Sequence, residues 1–162
     1  MKLGLISDTH DQLQRTKVAV EMLVSAGAER LIHCGDFVSH EVLTACCVLP
    51  VSFVFGNNDW GVEPELRAAA SDGGAECLEY GAEITIANRR IGITHGHLQT
   101  ESRPLMAASP DYLITGHSHI AMNRQLESTR WINPGALYRA SEYTVAVLDL
   151  TEDQVDFLTV PR

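Results

Sequence analysis

The sequence has few basic residues and no long apolar run. It contains 12 basic and 21 acidic residues, a formal charge of −9, and no cluster of Lys and Arg. Because non-specific affinity for nucleic acid depends on basic residues that neutralise phosphates, we expect no strong nucleic-acid binding. The most apolar stretch, residues 43–55, is broken by Thr44, Pro50 and Ser52 and is too short to span a bilayer. We therefore expect no membrane partner.

Cysteine is also sparse. The chain has four cysteines, at positions Cys34, Cys46, Cys47 and Cys77. None forms a Cys-x-x-Cys pair, and the set is typical of small apolar core residues in a reducing compartment. Asp8 and His10 come too early in the chain for a secretory apolar segment. These observations predict a cytoplasmic location.

No repeat, low-complexity tract or flexible linker divides the 162 residues. The length and the hydrophobic fraction of 45% are ordinary for one globular domain with its own core. We therefore expect residues 1–162 to form a single domain. The sequence is compatible with a homo-oligomer of this domain as well as with a monomer.

The first third of the chain alternates between strand and helix patterns. Apolar runs predict strands at residues 2–7, 30–34 and 51–55. A helix capped by Asp11 and ended by Gly27 lies between the first two strands, and a second helix is predicted at residues 40–48. This alternation implies right-handed crossovers and a largely parallel sheet.

The second half of the chain has a different pattern. Residues 83–87 and 90–94 flank Asn88-Arg89, which predicts a hairpin. Further strands are predicted at residues 112–115, 120–126, 130–132, 143–150 and 154–160, with the last two paired. The sequence therefore predicts parallel βαβ units followed by a more antiparallel half. We expect the two halves to face each other with helices outside.

Five polar segments directly follow predicted strands. They are Asp8-Thr9-His10, Gly35-Asp36, Gly56-Asn57-Asn58-Asp59, His95-Gly96-His97 and Gly116-His117-Ser118-His119. Ligands bind at the carboxyl ends of strands in open α/β sheets because the loops there converge. Oxygen and imidazole groups without thiolate suit divalent Mn, Fe, Ni or Zn.

The spacing within these segments favours a shared metal centre. A separation of two residues can put Asp8 and His10 on one face, and likewise His117 and His119. The two oxygens of Asp36 can bridge cations about 3.5–4 Å apart. Some segments alone have an ordinary explanation, since Asp-x-His often forms a turn or caps a helix and Gly-Asn-Asn-Asp suits a turn. His117-x-His119 alone already favours a metal, because packing rarely places two imidazoles in this way. All five together, in this order and after strands, leave little room for that explanation.

The five segments together resemble the calcineurin-like metallophosphoesterase superfamily. The small size, Thr94-His95-Gly96-His97 and Asn133-Pro134-Gly135 are similar to its compact bacterial and archaeal phosphodiesterase branch. The resemblance covers residues 3–135. It implies an α/β fold, a four-layer α/β/β/α sandwich of two mixed sheets flanked by helices. It also implies a hydrolase that acts on small phosphate esters, foremost phosphodiesters.

The resemblance further implies two divalent metal ions per chain, with Mn²⁺ as the first choice and Ni²⁺, Fe²⁺ or Zn²⁺ as alternatives. One metal ion would be bound by Asp8, His10, Asp36 and His119. The other would be bound by Asp36, Asn57, His95 and His117. A hydroxide that bridges the two ions would attack phosphorus while both cations neutralise charge on the phosphoryl oxygens.

The sequence departs from the family pattern at Asn58, the candidate catalytic residue. Many relatives have His at this position, and the small phosphodiesterases often have Cys. A carboxamide can donate a hydrogen bond but cannot give a proton to a leaving alkoxide. Cleavage of esters with poor leaving groups is therefore expected to be inefficient.

Other polar residues carry weaker predictions. We expect His33 to make a structural hydrogen bond and His40 to begin a helix near the mouth of the site. His97 either orients His95, which we favour, or contacts the substrate. We interpret Asn133-Pro134-Gly135 as a rigid turn. Three arginines are candidate phosphate contacts, although solvation at the surface is the simpler interpretation: Arg103, Arg124 and Arg139.

Two other functions are compatible with the same fold. The alternative to an enzyme is a non-catalytic protein-binding scaffold similar to the retromer small subunit, whose metal chemistry has degraded. The presence of all seven candidate ligands favours the enzyme. A nuclease acting on polymeric DNA or RNA is disfavoured by the charge of −9.

Overall fold

The chain forms four helices and eleven strands, and the computed structural model describes all residues from Met1 to Arg162. The helices are α1 (Leu13–Ser25), α2 (His40–Cys46), α3 (Glu63–Gly73) and α4 (Gln99–Ala107). The strands are β1 (Lys2–Ile6), β2 (Arg30–His33), β3 (Val51–Phe53), β4 (Glu76–Cys77), β5 (Gly81–Ile86), β6 (Arg89–Thr94), β7 (Tyr112–Ile114), β8 (Met122–Leu126), β9 (Thr129–Asn133), β10 (Thr144–Asp149) and β11 (Gln154–Thr159).

The strands form two mixed sheets. The first has the order β11-β10-β1-β2-β3-β4, in which β1 to β4 are parallel and β10 is antiparallel to both of its neighbours. The second has the order β5-β6-β7-β9-β8, with a parallel centre and antiparallel outer pairs. The predicted change from parallel to more antiparallel pairing is therefore confirmed.

Side-chain alternation along the strands separates two cores. On β1, Leu3 and Leu5 belong to a buried cluster between the two sheets, where they join Ile93 and Ile114 of the second sheet. Ile6 belongs instead to the cluster formed with the helices that cover the first sheet. Helix α4 lies against β5 and β6 of the second sheet. The four-layer α/β/β/α sandwich is therefore confirmed.

Helix α1 begins differently from the prediction, although its end is as expected. Its N-cap is Gln12, which makes no side-chain capping hydrogen bond, so the prediction that Asp11 caps the helix is wrong. Asp11 has a left-handed backbone with φ of 59°. Its N–H donates to the carbonyl of Phe37 at 2.9 Å, and its carboxylate accepts from Ser39 Oγ at 2.8 Å. These two contacts turn Asp11 away from the helix.

The predicted hairpin forms, but its turn lies one residue earlier. Ile86 pairs with Arg89, so the two turn residues are Ala87 and Asn88, with φ of 49° and 62°. Positive φ at both positions is typical of the type I′ turn that matches the twist of two paired strands. The register of the strand pair therefore decides which residues form the turn.

Helices α3 and α4 were not predicted. In α4 no residue is buried, and Pro104 lies inside the helix, so the sequence carries no apolar stripe of helical period there. Helix α3 buries only Leu66 and Ala70. Both helices lie at the surface, where the hydrophobic pattern that reveals a helix is weakest.

None of the four helices has the length and apolar character that a bilayer crossing requires. All four cysteines are free. Cys34 and Cys46 are fully buried, as expected of small core residues, and burial raises the pKa of both thiols.

Candidate metal centre

The five polar segments converge where the carboxyl ends of five strands meet. The loops after β1, β2 and β3 come from the first sheet, and those after β6 and β7 come from the second. Within each sheet these strands are parallel, so their loops leave at the same edge. The structure therefore brings together all seven candidate ligands, which lie in these loops: Asp8, His10, Asp36, Asn57, His95, His117 and His119.

One group of side chains is centred on Asp8. The distance from His119 Nε2 to Asp8 Oδ1 is 3.1 Å, and the His10 and His119 ring centroids are 5.4 Å apart. The ligand atoms of Asp8, His10 and His119 all lie within 4.8 Å of one another, close enough to share a cation. Hydrogen bonds from Ser7 Oγ at 2.6 Å and the N–H of His117 at 3.0 Å hold Asp8 Oδ2. Asp8 Oδ1 remains available to this group.

A second group is centred on His95, which is fully buried. Its Nε2 lies 3.1 Å from Asn57 Oδ1 and 3.5 Å from Asp36 Oδ2. The ring centroid of His117 is 5.1 Å away. The Nδ1 atom of His95 lies 2.6 Å from the carbonyl of Cys34, which can only accept a hydrogen bond. In the neutral ring the proton is therefore on Nδ1, and the Nε2 lone pair faces the two oxygens.

Asp36 connects the two groups. Its Oδ2 lies 3.3 Å from His10 Nε2 and 3.5 Å from His95 Nε2. Asn58 donates twice to this carboxylate, from its N–H at 2.8 Å and from Nδ2 at 2.7 Å. Burial alone would raise the pKa of Asp36, but the interactions with His10, His95 and Asn58 outweigh it and hold that pKa well below its usual range. The lowered pKa favours the ionised carboxylate, which is the form that can bind a cation.

The ligand atoms of these side chains are arranged to bind a divalent cation, and several of them make no hydrogen bond to one another. Asp8 Oδ1 and His10 Nε2 are buried and have no hydrogen-bond partner. Buried polar atoms without partners are costly, and here they converge with the lone pair of His95 Nε2 and the oxygen of Asn57. Electron-pair donors that face one another in this way can share a bound cation. An all-oxygen and imidazole set suits a borderline divalent metal.

The backbone of the site is strained. Five non-glycine candidates have φ in the left-handed region, between 42° and 67°: Asp8, His10, Asp36, His117 and His119. Such conformations cost of order 1–3 kcal/mol each and cluster at functional sites. Backbone hydrogen bonds from Asp8 to Gly35 and from His10 to Asp36, both 3.0 Å, hold two of the loops together.

Glycines allow these loops to approach one another. A Cβ on Gly56 would lie 2.1 Å from Asp36 Oδ1, and a Cβ on Gly116 would lie 2.0 Å from Ser7 Oγ. No larger residue fits either position without moving the ligand loops.

Asp59 has a role that was not predicted from the sequence. It is fully buried, and its carboxylate accepts hydrogen bonds from four backbone N–H groups at 2.7–2.9 Å. The four donors are Asp36, Phe37, Val38 and Gly56. Burial raises the pKa of Asp59, and the hydrogen bonds act in the opposite direction. Asp59 therefore ties the loop that carries Asp36 to the loop that carries Asn57.

Asn133 also does more than form the predicted turn. Its Nδ2 donates to the carbonyl of Gly116 at 2.7 Å and to Ser118 Oγ at 3.1 Å, while its Oδ1 accepts from the N–H of Gly135 at 2.9 Å. A buried carboxamide thus fastens the loop that carries His117 and His119. The Asn-Pro-Gly motif was the signal, but its partners are distant in sequence.

The remaining histidines differ in their surroundings. His33 is buried between the N–H of Gly35 at 3.2 Å and Thr9 Oγ1 at 3.1 Å, so its predicted structural role agrees with the geometry. Burial holds its pKa well below the usual value. His40 begins α2 and lies 3.4 Å from Glu41. His97 makes no hydrogen bond with His95, because the two rings meet edge to face at 5.2 Å and its buried Nδ1 has no partner.

A cavity of about 560 Å³ opens onto the site. Its lining includes five of the candidate ligands, Asn58, Arg139, and Tyr138, whose position the sequence did not indicate. The Tyr138 ring lies 4.7 Å from the His10 ring. Of the three arginines considered as phosphate contacts, Arg139 lines this cavity, whereas Arg103 and Arg124 do not.

Comparison with known proteins shows that the chain is similar to phosphoesterases. A family model described as the calcineurin-like phosphoesterase superfamily domain matches residues 1–153. The chain is 32% identical to a phosphodiesterase of Methanocaldococcus jannaschii over 92% of this chain and 93% of that protein. It is 26% identical to the phosphodiesterase YfcE of Escherichia coli over 85% and 79% of the two chains. A solved archaeal phosphodiesterase superposes with a TM-score of 0.90 at 29% identity, covering 99% of this chain and 100% of that one.

Proposed function

The chain belongs to the calcineurin-like phosphoesterase superfamily, and we propose that it is a metal-dependent hydrolase of phosphodiesters. Both curated relatives described above are named phosphodiesterases. The substrate is accordingly a small phosphate ester. We further propose that residues 1–162 act as one domain, since β10 and β11 return the end of the chain to the sheet that contains β1.

One observation carries this proposal. Asp36 Oδ2 lies within 3.5 Å of both His10 Nε2 and His95 Nε2, and each histidine belongs to a different cluster of ligand atoms. A carboxylate in this position is suited to bridge two cations. We propose one ion held by Asp8, His10, Asp36 and His119, and a second held by Asp36, Asn57, His95 and His117. Mn²⁺ is our first choice, with Ni²⁺, Fe²⁺ or Zn²⁺ as alternatives.

The bound ions would activate water as the nucleophile and neutralise charge on the phosphoryl oxygens. The protein's own groups would orient this chemistry. Cys34, through its carbonyl, directs the Nε2 of His95 toward the ligand cluster. Asn58 donates to Asp36 and lines the cavity, so its carboxamide steadies the bridging carboxylate beside the substrate. It has no proton to give a leaving group.

A scaffold without catalysis is not favoured. A protein-binding surface would not require the two buried atoms without hydrogen-bond partners, Asp8 Oδ1 and His10 Nε2. Folded proteins avoid such atoms unless a ligand satisfies them. A cytoplasmic location stays a prediction that rests on the pattern of cysteines. The charge of −9 continues to disfavour polymeric nucleic acid as substrate.

The proposal is tested with metal-stripped protein. Each candidate metal is added separately, and hydrolysis is measured over matched phosphomonoesters and phosphodiesters, with Asp36→Asn as the control for contaminating activity. We expect metal-dependent release of product, with diesters preferred. Protein that binds metal but hydrolyses no ester under any of these conditions would instead support the scaffold.

A further inference from the structure

Arg139 is an arginine without an acceptor at the mouth of the site. Of the ten arginines in the chain, seven donate to a carboxylate or to a carbonyl oxygen: Arg15, Arg30, Arg67, Arg89, Arg90, Arg130 and Arg162. The guanidinium of Arg139 contacts only the ring of Tyr138, with Cζ 5.0 Å from the ring centroid. The chain has 21 acidic residues, yet this guanidinium beside the cavity is paired with none of them. It is therefore available to bind an anionic ligand.

The loop that carries Arg139 is fixed to the candidate metal centre. The N–H of Leu137 donates to the carbonyl of Asp8 at 3.1 Å, and Tyr138 packs against His10. Arg139 itself has φ of 45°, a left-handed conformation that is unusual for a side chain of this size. Backbone strain of this kind persists only where surrounding contacts fix the conformation, and it is common at ligand-binding sites. The backbone of Arg139 is therefore fixed relative to the candidate metal centre.

Arg139 is exposed, unlike the buried ligands Asp8, Asp36 and His95. The charge of the scissile phosphate would be met by the ligand cluster of Asp8, Asp36 and the histidines together with their metal ions. The Tyr138 ring lies 4.7 Å from the His10 ring, and Arg139 Cζ lies 5.0 Å from the Tyr138 ring centroid. The Arg139 side chain is exposed, so it lies at the open side of the cavity and can reach a part of the substrate outside the ligand cluster. Asp11 also lines this cavity, but its carboxylate already accepts from Ser39. Arg139 is the one arginine that lines the cavity.

We propose that Arg139 binds an anionic group of the substrate other than the scissile phosphate, such as a carboxylate or a second phosphate. The planar guanidinium offers paired donors that match either oxyanion. This inference rests on the proposed phosphodiesterase function and narrows its substrate class to esters that carry a further negative charge on the organic group.

Two substrates that are closely matched in size and differ in that charge test the inference. They are 4-carboxyphenyl 4-nitrophenyl phosphate and its neutral isostere, 4-carbamoylphenyl 4-nitrophenyl phosphate. Release of nitrophenolate gives kcat/KM for each with the metal-loaded enzyme. We expect the wild type to prefer the carboxylate by about fivefold, the size of an exposed charge pair. Arg139→Ala should remove the preference, and Arg139→Lys should keep part of it.

Arg124→Ala is the matched control, because Arg124 is also exposed and without an acceptor but lies outside the cavity. It should leave the preference unchanged, and all variants should bind as much metal as the wild type. The inference is overturned if the wild type shows no preference, if Arg139→Ala keeps it, or if Arg139→Ala slows both substrates equally. Hydrolysis of neither ester by the metal-loaded wild type would overturn the proposed function as well.

Discussion

The carboxylate of Asp59 accepts a hydrogen bond of 2.8 Å from the backbone N–H of Asp36, across 23 residues of sequence. Asp36 is the proposed bridge between two metal ions, and its backbone is in the left-handed region. The same carboxylate accepts from Phe37, Val38 and Gly56. One buried side chain therefore holds the strained loop in which the bridging residue sits.

Replacement of Asp59 by Asn should weaken metal binding in a protein that still folds. An Asn amide nitrogen would face backbone N–H donors, and each unsatisfied buried group costs about 1–3 kcal/mol. We expect a lower midpoint of urea unfolding for the metal-free protein. We also expect Mn²⁺ affinity at 25 °C to fall about 10–100-fold, as for other residues that orient ligands.

Asp72→Asn is the control for this experiment, because Asp72 is exposed on α3. It should change neither quantity. If Asp59→Asn lowered stability but left Mn²⁺ affinity intact, Asp59 would serve the fold alone and not the position of Asp36.

The protein should bind two divalent cations per chain. Seven candidate ligands exceed what one site needs alongside water. Asp36 Oδ2 also lies within 3.5 Å of both His10 Nε2 and His95 Nε2, where a carboxylate can bridge two cations. Elemental analysis of Mn²⁺-saturated protein after gel filtration checks the stoichiometry, with the Asp36→Asn variant measured in parallel. A saturation value of one ion or fewer for the wild type would disprove the two-metal arrangement.

Asp36→Asn should cost more activity than Asn57→Ala. The first substitution weakens both metal sites, whereas the second removes one neutral ligand from one site. We expect Asp36→Asn to lower kcat by more than about 10²-fold, beyond the usual cost of losing a supporting residue. Steady-state rates at saturating Mn²⁺ give the comparison. Similar, mild losses for the two variants would argue against a bridging role.

The rate of hydrolysis should depend steeply on the acidity of the leaving group. Asn58 cannot protonate an alkoxide, and its Nδ2 is already engaged with Asp36 Oδ2 at 2.7 Å. Nitrophenyl diesters should therefore be cleaved far faster than alkyl diesters of similar size. General acid catalysis is typically worth about 10²–10⁴-fold, so Asn58→His should narrow this gap if the imidazole reaches the leaving oxygen.

The measurement is a plot of log kcat/KM against leaving-group pKa for the wild type, Asn58→His and Asn58→Ala. The alanine variant separates loss of the bond to Asp36 from gain of the imidazole. Parallel lines for the wild type and Asn58→His would mean that position 58 does not govern protonation of the leaving group.

Much of the fold and the location of the site could be predicted from the sequence, because both depend on local patterns. Apolar runs predicted most of the strands, and polar segments directly after five of them indicated where ligands would gather. The prediction missed helix α4 for a local reason and misplaced the start of α1 for a tertiary reason. Helix α4 buries no side chain, so it has no periodic apolar pattern, and Asp11 is turned away from α1 by contacts with Phe37 and Ser39.

By itself, the sequence determined the α/β class, the order of the ligand-bearing loops and the chemical type of the candidate ligands. Only the tertiary structure decided the contacts of Asp59 and Asn133 and the place of Arg139 beside the cavity. The four donors to Asp59 come from two separate loops, and Asn133 reaches a carbonyl at Gly116. Arg139 acquires its place because Tyr138 packs on His10, far away in the chain. Such roles depend on distances between segments that the fold brings together, and no local pattern of residues encodes them.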